Sequence, residues 1–238
     1  MRWIEYFLYF ASNTILILLG SVLLLLKVSA IGGSLAAAGL VGVIMFWAVY
    51  INRKKTQEEE RVLESLGKFG IVDVLPRRMT KREGHEFSGS ARNGVDILGF
   101  GLGRFREDVS DGHLEKISKK VKIRILAVNP KGACCDERDY EENRKVGSIK
   151  EDVIELTKFV KGLNNKNIML RWYRAIPSTH ILRADNEMLV GAYIIGVPSR
   201  ETYTLKLRSG LLFDCYAEHF DRIWNDPNLS SEPEYDKL

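Results

Sequence analysis

Few residues in this chain offer reactive chemistry, and the most promising of them fall together. His180, Arg183 and Asp185 share the short stretch Ser178-Thr-His-Ile-Leu-Arg-Ala-Asp185, and Arg171 and Arg174 come just before it. A histidine can attack a phosphorus centre or move a proton, and an arginine can hold negative charge on phosphoryl oxygens. Upstream, the turn Gly99-Phe-Gly101-Leu-Gly103 offers backbone with few side chains in the way. Its spacing does not match a dinucleotide fingerprint, and a strand-to-loop bend accounts for it better.

The remaining candidates read more plainly. His85, His113 and His219 have no partners at ligand spacing and are expected to be structural or exposed. Cys134-Cys135 falls in a polar stretch, Lys131 to Arg144, that reads as an ordinary surface loop. With Cys215 the cysteines number three, and they read as free thiols, with neither a disulfide framework nor zinc spacing. No metal site is legible and no cofactor is implied.

Two very different elements must position these residues. The first 51 residues hold two apolar runs almost back to back. Ile4 to Leu26 is interrupted only by Glu5, the trio Ser12, Asn13 and Thr14, and Ser21, and Ile31 to Ile51 has no charged residue. Each spans roughly 30 Å as a helix, the thickness of a bilayer's hydrocarbon core. The first run is too long for a cleaved signal peptide and a second span follows at once, so the pair reads as a transmembrane hairpin. Arg2 precedes it, Arg53, Lys54, Lys55 and Arg61 follow it, and only Lys27 borders the connecting turn. That bias places both termini in the cytoplasm and the short turn outside. The net charge of +4 is too small to point to nucleic acid, and much of the excess sits where it favours anionic lipid headgroups.

Within the spans, Ser34, Ala38 and Gly42 recur every four residues, with Gly39 alongside. Small residues at that spacing let helices approach closely, either inside the hairpin or between protomers. Asn13 lies near the middle of the first span, where an amide needs an interhelical partner or water. It is a candidate oligomer contact or pore-lining group, and a satisfied interhelical hydrogen bond serves equally well.

The chain then divides into a connector, 52–70, an α/β domain, 71–225, and a polar tail, 226–238, expected to fray. Thr56-Gln-Glu-Glu59 has the capping-box pattern that starts a helix, with Val62, Leu63, Leu66 and Phe69 as its apolar stripe. Strands are expected at Ile71–Leu75, Val95–Phe100, Val121–Val128, Asn167–Tyr173, Met188–Ile195 and Tyr203–Leu207. Helical periodicity marks Ser148–Leu163 and Leu211–Trp224. Strands separated by helices imply an α/β sandwich on a parallel or mixed sheet.

The order of these segments carries a resemblance. Gly70-Ile71 leading to Pro76-Arg77-Arg78, then Val95-Asp-Ile-Leu-Gly99, then Val121-Lys-Ile-Arg-Ile-Leu with Asn129-Pro130, resembles the phospholipase D-like domains of many bacterial proteins. Arg183-Ala-Asp185-Asn-Glu-Met-Leu-Val-Gly191 is similar to the stretch holding the aspartate of that superfamily's HxKxxxxD motif, and Phe220-Asp-Arg-Ile-Trp224 to its terminal helix. The likeness covers roughly 70–224 and implies one half-unit of a fold that works as a pair, hence a homodimer at least. It also implies a histidine nucleophile, a phosphate-holding lysine and a supporting aspartate. Aligning Asp185 with the motif aspartate puts Ser178 at the histidine and His180 at the lysine. Aligning His180 with the motif histidine puts Leu182 at the lysine and Glu187 at the aspartate. Neither register completes the motif, so no catalytic residue is assigned, with His180 and Asp185 as the pair if the site is active. Such a site can retain a pocket for phosphates or nucleotides, lined by Gly101, Arg171, His180, Arg183 and Asp185.

Two function classes follow. In one, the chain resembles in architecture the two-span killing components of bacterial antiphage systems: a nucleotide or protein trigger acts on the cytosolic domain, and the hairpins, through Asn13, Ser34, Ala38 and Gly42, oligomerise and breach the inner membrane. In the other, the chain is a membrane-bound phosphodiesterase or phosphatidyl transferase. A regulatory anchor that docks a partner at the membrane is a third.

Overall fold

The computed structural model describes residues 3–234; Arg2 and the end of the tail, 235–238, lie outside the described residues. The chain forms two units, 1–65 and 66–238.

In the first unit, helix α1 runs Trp3–Leu25, and helix α2, Ser29–Phe69, begins after a short turn at Lys27. Both are long and apolar enough to cross a membrane. Little of either apolar stretch is buried, unlike the core helices of a soluble protein. Glycines bring the two helices into backbone contact. A Cβ at Gly20 would lie 2.5 Å from the Ala36 nitrogen, and one at Gly39 would lie 2.6 Å from Ile17 Cγ1 and 2.8 Å from the Asn13 carbonyl. Phe46 closes the seam against Tyr9 and Phe10, with ring centroids 6.1 and 5.9 Å apart.

α2 continues unbroken to Phe69, so the expected separate connector helix does not exist. Thr56 sits in mid-helix, where its hydroxyl donates to the Asn52 carbonyl at 2.9 Å and caps nothing. The helix is already propagating from the apolar run, so no new nucleus is needed.

The second unit is built on one eight-stranded sheet, β1(Ile71–Leu75), β2(Gly94–Gly99), β3(Lys122–Val128), β4(Ile168–Tyr173), β5(Thr179–Ala184), β6(Glu187–Ala192), β7(Thr204–Arg208) and β8(Ser230–Ser231). Its order is β1-β7-β6-β5-β2-β3-β4-β8, with β2, β3 and β4 parallel and every other pairing antiparallel. The parallel strands carry the most buried residues, among them Ile123, Ile125 and Leu126, as expected of strands covered on both faces. The helices are α3(Lys81–Gly89), α4(Gly103–Val109), α5(His113–Ser118), α6(Cys134–Glu141), α7(Ser148–Leu163) and α8(Leu211–Asn225).

Strand alternation separates the two faces. Trp172 of β4 points to α7, donating its indole N–H to Thr157 at 3.1 Å. Its neighbour Arg171 points the other way, over the Trp224 ring of α8 at 4.9 Å, and donates to the Trp224 carbonyl. The tail does not fray from Asp226: Ser230 pairs with Tyr173 and its hydroxyl donates to the Ile223 carbonyl at 2.6 Å.

Candidate functional site

On the face of the sheet opposite α8 lies a cavity of about 880 Å³, roofed by α3, α4, α5 and the start of α7. Its floor is apolar, from Val95 and Ile97 of β2, Ile123 of β3, Leu182 of β5 and Leu189 of β6. Its mouth carries Arg77, Arg78, Lys81, Arg104 and Arg200.

One polar row interrupts that floor. His180 of β5 pairs with Gly191 of β6, which pairs with Thr204 of β7. Residues directly opposite on neighbouring strands point to the same side, so His180 and Thr204 share this face with no side chain between them. Gly191 is required there: a Cβ would fall 2.1 Å from His180 Cε1. His180 is 3 % exposed, and neither ring nitrogen has a hydrogen-bond partner among the described residues; nor does the Thr204 hydroxyl. Burial, reinforced by the nearby Arg78 charge, pushes the His180 pKa down to about 3, so the imidazole is neutral at physiological pH. Such a ring presents one donor and one acceptor.

Aromatic side chains form the adjoining wall. Phe100 and Tyr193 meet edge to face with centroids 4.7 Å apart, and Tyr193 lies 5.9 Å from the His180 ring. The Tyr193 hydroxyl accepts from the Phe100 amide at 3.0 Å, which ties β6 to the turn after β2. Arg138 of α6 stacks 5.8 Å over Phe100 and 5.1 Å over Tyr193, held by Glu141 at 2.8 Å and Glu142 at 2.7 Å. Arg138 is therefore committed to the wall. Arg78 is different: it is half-buried, and its guanidinium has no hydrogen-bond or ion-pair partner among the described residues.

The expected site residues divide. Gly101 and His180 line the cavity. Gly101 and Gly103 also let the turn after β2 press on α7, since a Cβ at either would meet Asp152, at 2.9 Å and 2.3 Å. Arg171, Arg183 and Asp185 do not line the cavity. Arg183 is three residues from His180 on one strand, so it faces α8, where it lies 5.4 Å over Phe213 and 3.4 Å from Asp96. Asp185 occupies the β5–β6 turn with φ of 54° and accepts from the amides of Arg92, Asn93 and Gly94 at 2.7, 2.7 and 3.0 Å. Burial raises its pKa, but those three donors and Arg183 outweigh it and hold the carboxyl below its ordinary range. Its work is to start β2.

The other candidates take the following places. His85 and His113 stack at 3.7 Å with rings 10° apart, and His113 Nε2 lies 3.0 Å from the Ser88 hydroxyl. Cys134 and Cys135 open helix α6 instead of lying in a loop, and burial pushes the Cys135 thiol up to about 12, which makes it unreactive. No group of three or more metal-ligating side chains occurs among the described residues. In the two apolar helices, Asn13 and Gly42 meet across the hairpin, whereas Ser34 and Ala38 are exposed on another face of α2. Sequence reasoning missed Arg78, Thr204, Phe100 and Tyr193. Thr204 enters only through register, which no local pattern reveals.

No family model and no curated protein matches the sequence. Solved structures similar to this chain include TrmBL2, an archaeal chromatin protein with a novel mode of DNA binding, at 15 % identity over 79 % of this chain and 68 % of that one, with a TM-score of 0.44. Nuc, a phospholipase D family member from Salmonella typhimurium, is 12 % identical over 68 % of this chain and 96 % of its own, with a TM-score of 0.44. Phosphatidylserine synthase of Haemophilus influenzae is 9 % identical over 65 % of this chain and 37 % of its own, with a TM-score of 0.46.

Proposed function

We propose that this chain is a membrane-anchored effector. Its α/β domain binds a small ligand in the cavity over His180, and its two-span hairpin oligomerises to permeabilise the bacterial inner membrane, in an abortive antiphage role. The observation that carries the binding half is the neutral His180, buried in the cavity wall with both nitrogens unpartnered. Phosphodiester cleavage through the motif would need a cation and a carboxylate beside that ring, and Arg183 and Asp185 are engaged elsewhere. The membrane half is supported by the two apolar helices and by the glycine seam that joins them.

A second reading, a membrane-bound phosphodiesterase or phosphatidyl transferase, draws on the unpaired Arg78 at the same cavity as His180: one supplies positive charge, the other a nucleophile. One experiment separates the two. Bacteria induced to express the full chain are followed for uptake of a membrane-impermeant dye, with Gly42→Leu and His180→Ala in parallel. The effector reading expects dye entry that Gly42→Leu abolishes. No entry from the native chain under any inducing condition, together with diester hydrolysis that His180→Ala removes, would replace it with the enzyme.

A further inference from the structure

We infer that the cavity takes a nucleoside phosphate with its base inward, the base edge meeting the His180–Thr204 row and the phosphate resting at Arg78. The inference rests on the ligand-cavity reading above and adds the chemistry of the ligand.

Three observations converge on it. The deep end of the cavity is neutral and paired in function: an imidazole with one donor and one acceptor, and a hydroxyl able to do either, in register across Gly191. Buried polar groups almost always find partners, and these three atoms find none among the described residues. A bare anion would leave the imidazole's acceptor unmatched. A heterocycle edge with adjacent donor and acceptor, as on every nucleobase, satisfies the row. Next, Phe100 and Tyr193 flank this row with ring surface on an otherwise aliphatic floor, and a planar base has the faces to use it. Finally, Arg78 is half-buried at the same cavity with no counter-ion among the described residues, while Lys81 and Arg77 at the mouth are paired to Asp111 and Glu83. An unpaired guanidinium at the edge of an apolar cavity favours a phosphate. A cavity of about 880 Å³ has room for a ligand of this size.

The test uses the full chain in lipid nanodiscs and measures binding of AMP, GMP, CMP and UMP, the matching nucleosides, ribose 5-phosphate and inorganic phosphate. At least one nucleotide should bind about tenfold more tightly than both its nucleoside and ribose 5-phosphate, because it satisfies both ends of the cavity. Thr204→Val keeps the side chain's volume and removes only the hydroxyl. It should weaken that nucleotide about tenfold and leave ribose 5-phosphate unchanged, while Arg78→Gln weakens both. Equal binding of ribose 5-phosphate and every nucleotide would overturn the base-inward inference and leave the cavity as an anion site. No binding of any probe would overturn it as well; if Arg78→Gln then also leaves dye entry unchanged, the ligand-cavity reading falls with it.

Discussion

The hairpin seam makes a quantitative prediction at Gly42. A Cβ there would sit 1.9 Å from Asn13 Oδ1 and 2.5 Å from its Cγ, whereas ordinary contact begins at 3.4 Å. Asn13 has little freedom to withdraw, because it is 8 % exposed and its amide nitrogen donates to the Tyr9 carbonyl at 2.8 Å. Gly42→Ala must therefore part the helices or break that bond, at about 1–3 kcal/mol, the usual cost of overpacking. Asn13→Ala alone removes the obstructing amide and should cost less, about 0.6 kcal/mol, typical of polar contacts between membrane helices. The double variant restores room for the methyl group, so its destabilisation should fall short of the sum of the singles by about 1–2 kcal/mol. The assay is SDS titration of the full chain in mixed micelles, with helix separation read by energy transfer between labels at Phe7 and Ile51. Additive losses would refute the reasoning, since Asn13 would then not be what fills the space beside Gly42.

Two further predictions concern the α/β domain. His180 has a folded pKa of about 3, below its unfolded value near 6.5, so between those limits the unfolded chain binds more protons. Stability is then full above about pH 6.5 and is lost as pH falls, at up to about 1.4 kcal/mol per unit, and denaturant melts of His180→Asn should lack this slope between about pH 6.5 and 4.5; an unchanged slope would show that the ring is not held neutral by burial. Asp185→Ala strips three backbone donors of their acceptor and should cost about 2–4 kcal/mol in a urea midpoint measurement, with Asp185→Asn milder because it keeps one oxygen and tolerates the left-handed backbone. Because the Asp185 carboxyl is held below its ordinary pKa, the native chain should lose this contribution only below about pH 4, as pH falls through the folded value. A neutral effect of Asp185→Ala on stability would return this residue to the candidate ligands.

How far the sequence reveals the site turns on strand parity. The apolar runs that became β3 and α7 are legible because their periods, two and 3.6, persist over several residues. Residues 179–184 are legible in principle too: Thr-His-Ile-Leu-Arg-Ala is a six-residue strand, and once it is a strand His180 and Arg183 must face opposite ways. Read instead as a motif, the same residues look like one cluster, and Arg183 and Asp185 are drawn wrongly into the site. Thr204 and Arg78 are a different matter, because their place in the cavity with His180 depends on a register spanning three strands and on the chain's return after β1.

The two capping-box patterns show the same dependence on context. Thr56-Gln-Glu-Glu59 and Thr80-Lys-Arg-Glu83 are alike as strings, yet only the second caps a helix. There, Glu83 accepts from the Thr80 amide at 2.7 Å, because Pro76 and the end of β1 have already broken the chain and left a helix start to be stabilised. At Thr56 the preceding residues are helical, the amide is already bonded within the helix, and the hydroxyl turns back to Asn52. A cap pattern therefore marks a helix start only where something upstream prevents helix. In this chain the apolar run does the opposite, and one uninterrupted helix runs Ser29–Phe69.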